Sequence, residues 1–126
     1  MKNINYILKV IPHRYPFLLI DRIIDKDEKK EITTLKNVTF NEQFFQGHFP
    51  EKPVMPGVLL LESMAQSAGT LVMHSLKKKS KNTSVYLLTV DKAKFRKPVC
   101  PGDVLMNKVE KKQQFKNICH GHVTVM

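Results

Sequence analysis

Two cysteines, Cys100 and Cys119, are all that the 126-residue chain contains. They are too few for a disulfide framework and suit a reducing compartment as free thiols, so the cytoplasm is the expected location. Long apolar runs are missing as well. The opening Met1-Lys2-Asn3-Ile4-Asn5-Tyr6 lacks the uncharged core of a secretory signal. The longest candidate span, Val54 to Leu76, is interrupted by Glu62, Gln66 and His74; it reads as a buried helix, and no membrane insertion is expected. A phosphate loop, a dinucleotide fingerprint and a Gly-x-Ser-x-Gly elbow are absent, which leaves a nucleotide cofactor or a serine hydrolase without a supporting motif. There are no internal repeats and no low-complexity linkers, and the length suits one domain with one core.

Acidic residues are the scarce charge, 11 against 21 Lys and Arg, for a net charge of +10. Clustered lysines attract polyanions, but arginine, the better reader of phosphates and bases, occurs only at Arg14, Arg22 and Arg96. A solvated basic surface is therefore favoured, with docking of an acidic protein partner next and no nucleic-acid partner expected. A hydrophobic share of 42% with 25% charged residues fits a globular chain that folds in water.

Periodicity organises the chain. Ile4, Ile7, Leu8 and Ile11 mark a short helix that stops at Pro12. Phe17 to Asp25 and Glu31 to Phe40 are rich in apolar and β-branched residues and predict a hairpin. Gly47, Pro50, Pro53, Pro56 and Gly57 turn Asn41 to Gly57 into a structured loop. Val58 to Leu76, free of proline, predicts the longest helix. Ser84 to Lys94, Asp103 to Lys112 and Asn117 to Met126 favour strands, with Pro101-Gly102 as a turn. One long buried helix among antiparallel strands implies an α+β domain whose sheet wraps that helix.

Glu62 is the informative residue, because no other Asp, Glu, Lys or Arg lies between Lys52 and Lys77. Desolvation favours the protonated form of such a carboxyl, which suits a general acid near neutrality. Ala65, Gln66 and Gly69 share its helix face at three- and four-residue spacings, leaving room for a ligand and placing Gln66 to hold Glu62. His48, in Gly47-His48-Phe49-Pro50, has the side chain that titrates closest to neutrality and is the commonest general base. Fourteen positions separate it from Glu62, which does not by itself bring the two together. At Pro56-Gly57 the first helical N–H groups lack internal partners and can receive an oxyanion. An ordinary helix start, a packed Gly69 and a satisfied buried amide at Gln66 remain open as plainer readings. His120 and His122 share one strand face, too few ligands for a metal site.

Pro12-His13-Arg14-Tyr15-Pro16-Phe17, Gly47-His48-Phe49-Pro50, Pro53-Val54-Met55-Pro56-Gly57-Val58, Glu62 with Ala65-Gln66, and Lys94-Phe95-Arg96-Lys97-Pro98-Val99 with Pro101-Gly102-Asp103 together resemble the (3R)-hydroxyacyl-acyl-carrier-protein dehydratase family of type II fatty-acid synthesis. The resemblance covers nearly the whole chain. It implies a hotdog fold over residues 1–126, a homo-oligomer built as a dimer or trimer of dimers, and a site at the dimer interface. It also implies His48 as the base at C2, Glu62 of the opposite subunit as the acid at the C3 hydroxyl, and the Gly57 amide on the thioester carbonyl. Phe49, Val58 and Gln66 are supporting residues, and Lys92, Lys94, Arg96 and Lys97 are candidates for docking an acidic acyl carrier protein. No metal or other cofactor is implied. Relatives usually continue past a strand like Asn117 to Met126 into a final strand, so the resemblance implies that this one is lacking. A hotdog acyl thioesterase and a non-catalytic carrier-binding module are the competing readings.

Overall fold

The structure is a computed structural model, and it describes residues 1–27, 30–76, 85–87, 89–115 and 118–125. Its elements run α1 (Ile4–Val10), β1 (Arg22–Asp27), β2 (Glu31–Asn37), α2 (Gly57–Ser75), β3 (Val104–Phe115) and β4 (Ile118–Val125), with a short 3-10 turn at Gln43–Gln46 between β2 and α2. The four strands form one antiparallel sheet in chain order, β1-β2-β3-β4, and α2 enters between the second and third. β2, β3 and β4 all pack against α2, and α1 joins it at β1.

α1 begins where the Asn3 side chain accepts the Asn5 N–H at 3.0 Å, and it buries Ile7 and Val10. It ends because Ile11 is extended ahead of Pro12. Ile7, Val10 and Ile11 then meet Ile20 from the segment before β1, Ile23, Ile32 and Val109 from the sheet, and Leu71 and Met73 of α2 in one core cluster. A second cluster, with Val38, Phe45, Met55, Leu60, Val99 and Leu105, lies under the loop that leads into α2.

The buried surface of α2 is polar as well as apolar. Ser63, Gln66, Ser67 and Thr70 are all at most 2% exposed, and burial of such groups is tolerable only when they are paired. Thr34 on β2 bonds Ser67 at 2.6 Å, and Asn107 on β3 donates to the hydroxyls of Ser63 at 2.9 Å and Ser67 at 3.1 Å. Ser63 in turn donates to the Leu19 carbonyl at 2.8 Å. Helix and sheet are thereby fixed in register by hydrogen bonds that admit one alignment, where apolar packing alone would tolerate sliding.

Two expectations need correction. The apolar Phe17 to Ile20 does not open β1, which starts at Arg22. Its backbone groups are instead taken by side chains of α2, the Leu19 N–H by Gln66 and the Leu19 carbonyl by Ser63, so a strand partner is not required. Ser84 to Lys94 is not a strand at its described residues, 85–87 and 89–94, which are exposed and pair with no sheet edge. Their β-forming composition has no partner strand within the described chain. Elsewhere the boundaries agree within a few residues, and Gly102 takes the turn with φ +99°, a conformation glycine accepts without strain.

Where α1 meets the end of α2, the Tyr6 hydroxyl bonds His74 Nδ1 at 2.5 Å, and burial raises the hydroxyl's pKa above its ordinary 10.0. A raised value means that folding favours the neutral phenol; this contribution is complete below about pH 10 and is lost as pH rises through the folded-state value. Replacing Tyr6 by Phe is expected to cost about 1 kcal/mol near neutrality through the lost hydrogen bond, yet to flatten the alkaline fall in melting temperature. Thermal melts of both proteins at rising pH check this; an equally steep alkaline fall in the variant contradicts it.

Candidate functional site

The loop between the 3-10 turn and α2 is held by its own backbone. His48 N–H donates to Phe44 O at 3.1 Å, Val54 N–H returns to His48 O at 3.0 Å, and Phe49 and Lys52 exchange both backbone bonds. Met55 N–H ties the loop to Val99 at 2.7 Å. The His48–Phe49 peptide is cis. Within this frame the His48 ring has one nitrogen committed: Nδ1 lies 2.7 Å from the Val54 carbonyl. A carbonyl only accepts, so Nδ1 carries the hydrogen and Nε2 is left as the lone-pair nitrogen of the neutral ring. Phe49 stacks on the imidazole, centroids 4.0 Å apart at 25°, while remaining 52% exposed.

His48 lines a cleft of about 360 Å³ together with Gly57, Leu60, Phe95, Arg96 and Lys97. Gly57 is the first residue of α2, and its N-cap, Pro56, offers no side-chain cap. The Leu59 and Leu60 N–H groups turn back to Pro56 O at 3.0 and 3.1 Å, whereas those of Gly57 and Val58 find no backbone acceptor among the described residues. The free Gly57 amide at the positive end of a 19-residue helix therefore stands at this cleft, with that of Val58 next to it in the chain. The Phe95 ring closes over the glycine, and a Cβ there would meet it at 3.2 Å.

Glu62 is organised separately. Its Oε1 accepts a hydrogen bond from Gln66 Nε2 at 3.0 Å and lies 3.5 Å from His13 Nε2, with 23% of the side chain exposed. Gln66 is fully employed: its second N–H goes to the Phe17 carbonyl at 2.7 Å and its oxygen accepts from Leu19 N–H at 2.7 Å. The expected pairing of Gln66 with Glu62 is present. Glu62 is not among the residues lining the His48 cleft, so one chain supplies two partial arrangements, His48 with Gly57 and Glu62 with Gln66.

Val58 is 73% exposed beside the free amides. Lys92, Lys94, Arg96 and Lys97 are all exposed, and Arg96 and Lys97 line the cleft while the other two lie earlier on the same segment. The Cys119 and His120 side chains lie outside the described residues; His122 is exposed, opposite Glu110 across the β3–β4 ladder. Sequence reasoning missed His13 as a neighbour of Glu62. Its only signal was its place in Pro12-His13-Arg14, because contact between positions 13 and 62 follows from the docking of the α1 exit on α2 and leaves no periodic trace.

A long helix packed on a four-stranded antiparallel sheet, with a histidine loop running into an uncapped glycine start, makes this a hotdog-fold protein of α+β class. The chain belongs to the FabA-like family, whose domain model matches residues 11–126. It is 57% identical over 109 residues to the 3-hydroxyacyl-acyl-carrier-protein dehydratase FabZ of Variovorax paradoxus, covering 86% of this chain and 73% of that one. The FabZ dehydratase of Ehrlichia chaffeensis is 51% identical over 125 residues, covering 96% of this chain and 85% of its own. A solved chain of the dehydratase heterocomplex ApeI:P from Xenorhabdus doucetiae superposes with TM-score 0.70 over 94% of this chain and 80% of that one; at 17% identity it supports the fold. Among the described residues no helix is long and apolar enough to cross a membrane.

Proposed function

We propose that the protein is a dehydratase of (3R)-3-hydroxyacyl thioesters carried by acyl carrier protein in fatty-acid elongation, releasing the trans-2-enoyl thioester and water. The observation that carries this reading is the His48 ring, fixed through Nδ1 and lining the same cleft as the uncapped Gly57 amide. His48 Nε2 takes the proton from C2; the electron pair moves toward C3, and the C3–O bond breaks as Glu62 gives its proton to the departing hydroxyl, which leaves as water. As the C2 proton departs, negative charge grows on the thioester oxygen, and the free Gly57 N–H receives it. The identities of 51–57% to FabZ dehydratases support this reaction.

Because Glu62 does not line the His48 cleft of its own chain, the site is completed between subunits, His48 of one meeting Glu62 of the other. Exposed Phe49, Val58, Tyr86, Leu87, Val90 and Phe95 support a homo-oligomer, since exposed apolar groups in this number need covering. We assign the dimer as the functional unit, alone or as a trimer of dimers, and the cytoplasm as its compartment. Arg96 and Lys97 at the cleft, with Lys92 and Lys94 nearby, suit the approach of an acidic carrier protein by charge complementarity.

Incubation with a 3-hydroxyacyl thioester is expected to raise enoyl absorbance without free thiol. Thiol release without enoyl product would make the protein a thioesterase, and neither product would make it a binding module. Gly57→Ala keeps the N–H but drives a methyl against Phe95; kcat/KM should fall about tenfold, less than the ~10²–10³ typical of losing an oxyanion donor outright. Steady-state kinetics with a thermal melt check it, and unchanged kcat/KM contradicts close approach of substrate at Gly57.

A further inference from the structure

We propose that His13 is a positioning residue for Glu62 that fixes which carboxyl oxygen delivers the proton; this rests on the dehydratase reading above. Both contacts to the Glu62 carboxyl, from Gln66 Nε2 at 3.0 Å and His13 Nε2 at 3.5 Å, converge on Oε1, and Oε2 takes no hydrogen bond among the described residues. An oxygen faced by two N–H groups is the acceptor end of a carboxylic acid. The proton of the acid form therefore sits on Oε2, the oxygen left for the substrate hydroxyl.

The surroundings of His13 select the tautomer this requires. Nδ1 is buried and has no hydrogen-bond partner. A buried lone pair without a donor is less costly than a buried N–H without an acceptor, so the ring hydrogen belongs on Nε2, facing Glu62. The backbone that carries the ring is also held in place. Arg14 donates through Nη1 to the carbonyls of Ile11 at 3.0 Å and His13 at 2.7 Å, and through Nη2 to Leu8 at 2.9 Å, fastening the turn after α1 to its C-terminal carbonyls. Phe17 and Leu18 N–H groups close the turn on Arg14 O at 2.8 and 3.1 Å, and Gln66 binds the next backbone groups. His13 and Gln66 thus reach Oε1 from one rigid assembly, and neither contributes an atom to the reaction.

The test compares His13→Leu, which fills space without a donor, with His13→Gln, whose amide can place an N–H near Nε2. For His13→Leu the expected result is a kcat lower by about thirtyfold with KM within about threefold, the pattern of a lost transition-state interaction. His13→Gln should recover at least a third of wild-type kcat at an unchanged melting temperature. A His13→Leu enzyme within about twofold of wild type, or equal losses in both variants when both melt as wild type, overturns the proposal. A readout independent of turnover is the nitrogen-15 imidazole spectrum, with the His13 signals assigned by their loss in His13→Gln. The wild type should show the hydrogen on Nε2, with that resonance moving in Glu62→Gln; a hydrogen on Nδ1, or no response to Glu62→Gln, overturns it whatever the activity. A wild type without enoyl product, combined with the expected spectrum, would instead remove the dehydratase reading and leave the His13–Glu62 contact standing.

Discussion

His48→Ala and Glu62→Gln should each lower kcat by about 10³-fold, within the 10²–10⁴ that a positioned acid or base contributes, while leaving the melting temperature within a few degrees of wild type. The two losses have different physical origins. His48 is held by a loop whose bonds are backbone to backbone, so removing the ring takes away the lone pair at Nε2, the Nδ1 bond to the Val54 carbonyl and the Phe49 stack, and leaves the loop's backbone bonds in place. Glu62→Gln keeps the shape and an oxygen that Gln66 can still reach, but an amide does not give up a proton as a carboxylic acid does. Circular dichroism and melts run beside the kinetics separate loss of chemistry from loss of fold. A His48→Ala protein within tenfold of wild type would show that another group removes the C2 proton.

Gln66→Leu should be the more damaging change for the fold. Leucine has nearly the same volume, so no large cavity forms, but Leu19 N–H and the Phe17 carbonyl lose their partners, the first of them in a residue 2% exposed. Orphaning the buried Leu19 N–H costs roughly 1–3 kcal/mol and the carbonyl of half-exposed Phe17 adds less, so a total of about 2–3 kcal/mol is expected. For a domain of this size the melting temperature should fall by about 10 °C. Activity measured well below the melt should fall too, because Glu62 loses its 3.0 Å donor. Gln66→Glu preserves the acceptor for Leu19 but sets a second carboxyl beside Glu62, so it should melt above Gln66→Leu at acidic pH, where the added group is protonated, and lose that advantage as it ionises. Equal melts of Gln66→Leu and wild type would show that the Phe17–Leu19 segment is held by apolar burial alone.

Much of this was legible in the sequence for local reasons. α1 and α2 are set by apolar spacing, by Pro12 and by Pro56-Gly57, and their observed limits fall within a residue of expectation. Glu62 stood out as a charge without charged neighbours, and its bond to Gln66 follows from a spacing of four on one helix. What was not legible depends on partners distant in the chain. The run Phe17 to Ile20 has strand composition, yet its backbone is satisfied by Ser63 and Gln66, more than forty positions away. Ser63, Ser67 and Thr34 have no pattern that marks them as a buried network, because small hydroxyl residues suit exposed and buried positions alike. His13 and Glu62 meet through tertiary docking, and no spacing rule relates them. The residues 85–87 and 89–94 read as strand because β-composition reports a preference for pairing without naming the partner, and the described sheet offers them none.

The central claim is that His48 and Glu62 act as one site built from two chains. Mixing His48→Ala and Glu62→Gln proteins after dissociation and reassembly tests it most directly. With random pairing, half of the dimers are mixed, and each holds one intact site and one doubly altered site, so about a quarter of wild-type turnover should return. Recovery to that level, absent when either variant is reassembled alone, is the predicted result. Mixed oligomers that form yet stay as inactive as their parents would contradict a shared site and return both residues to a single chain.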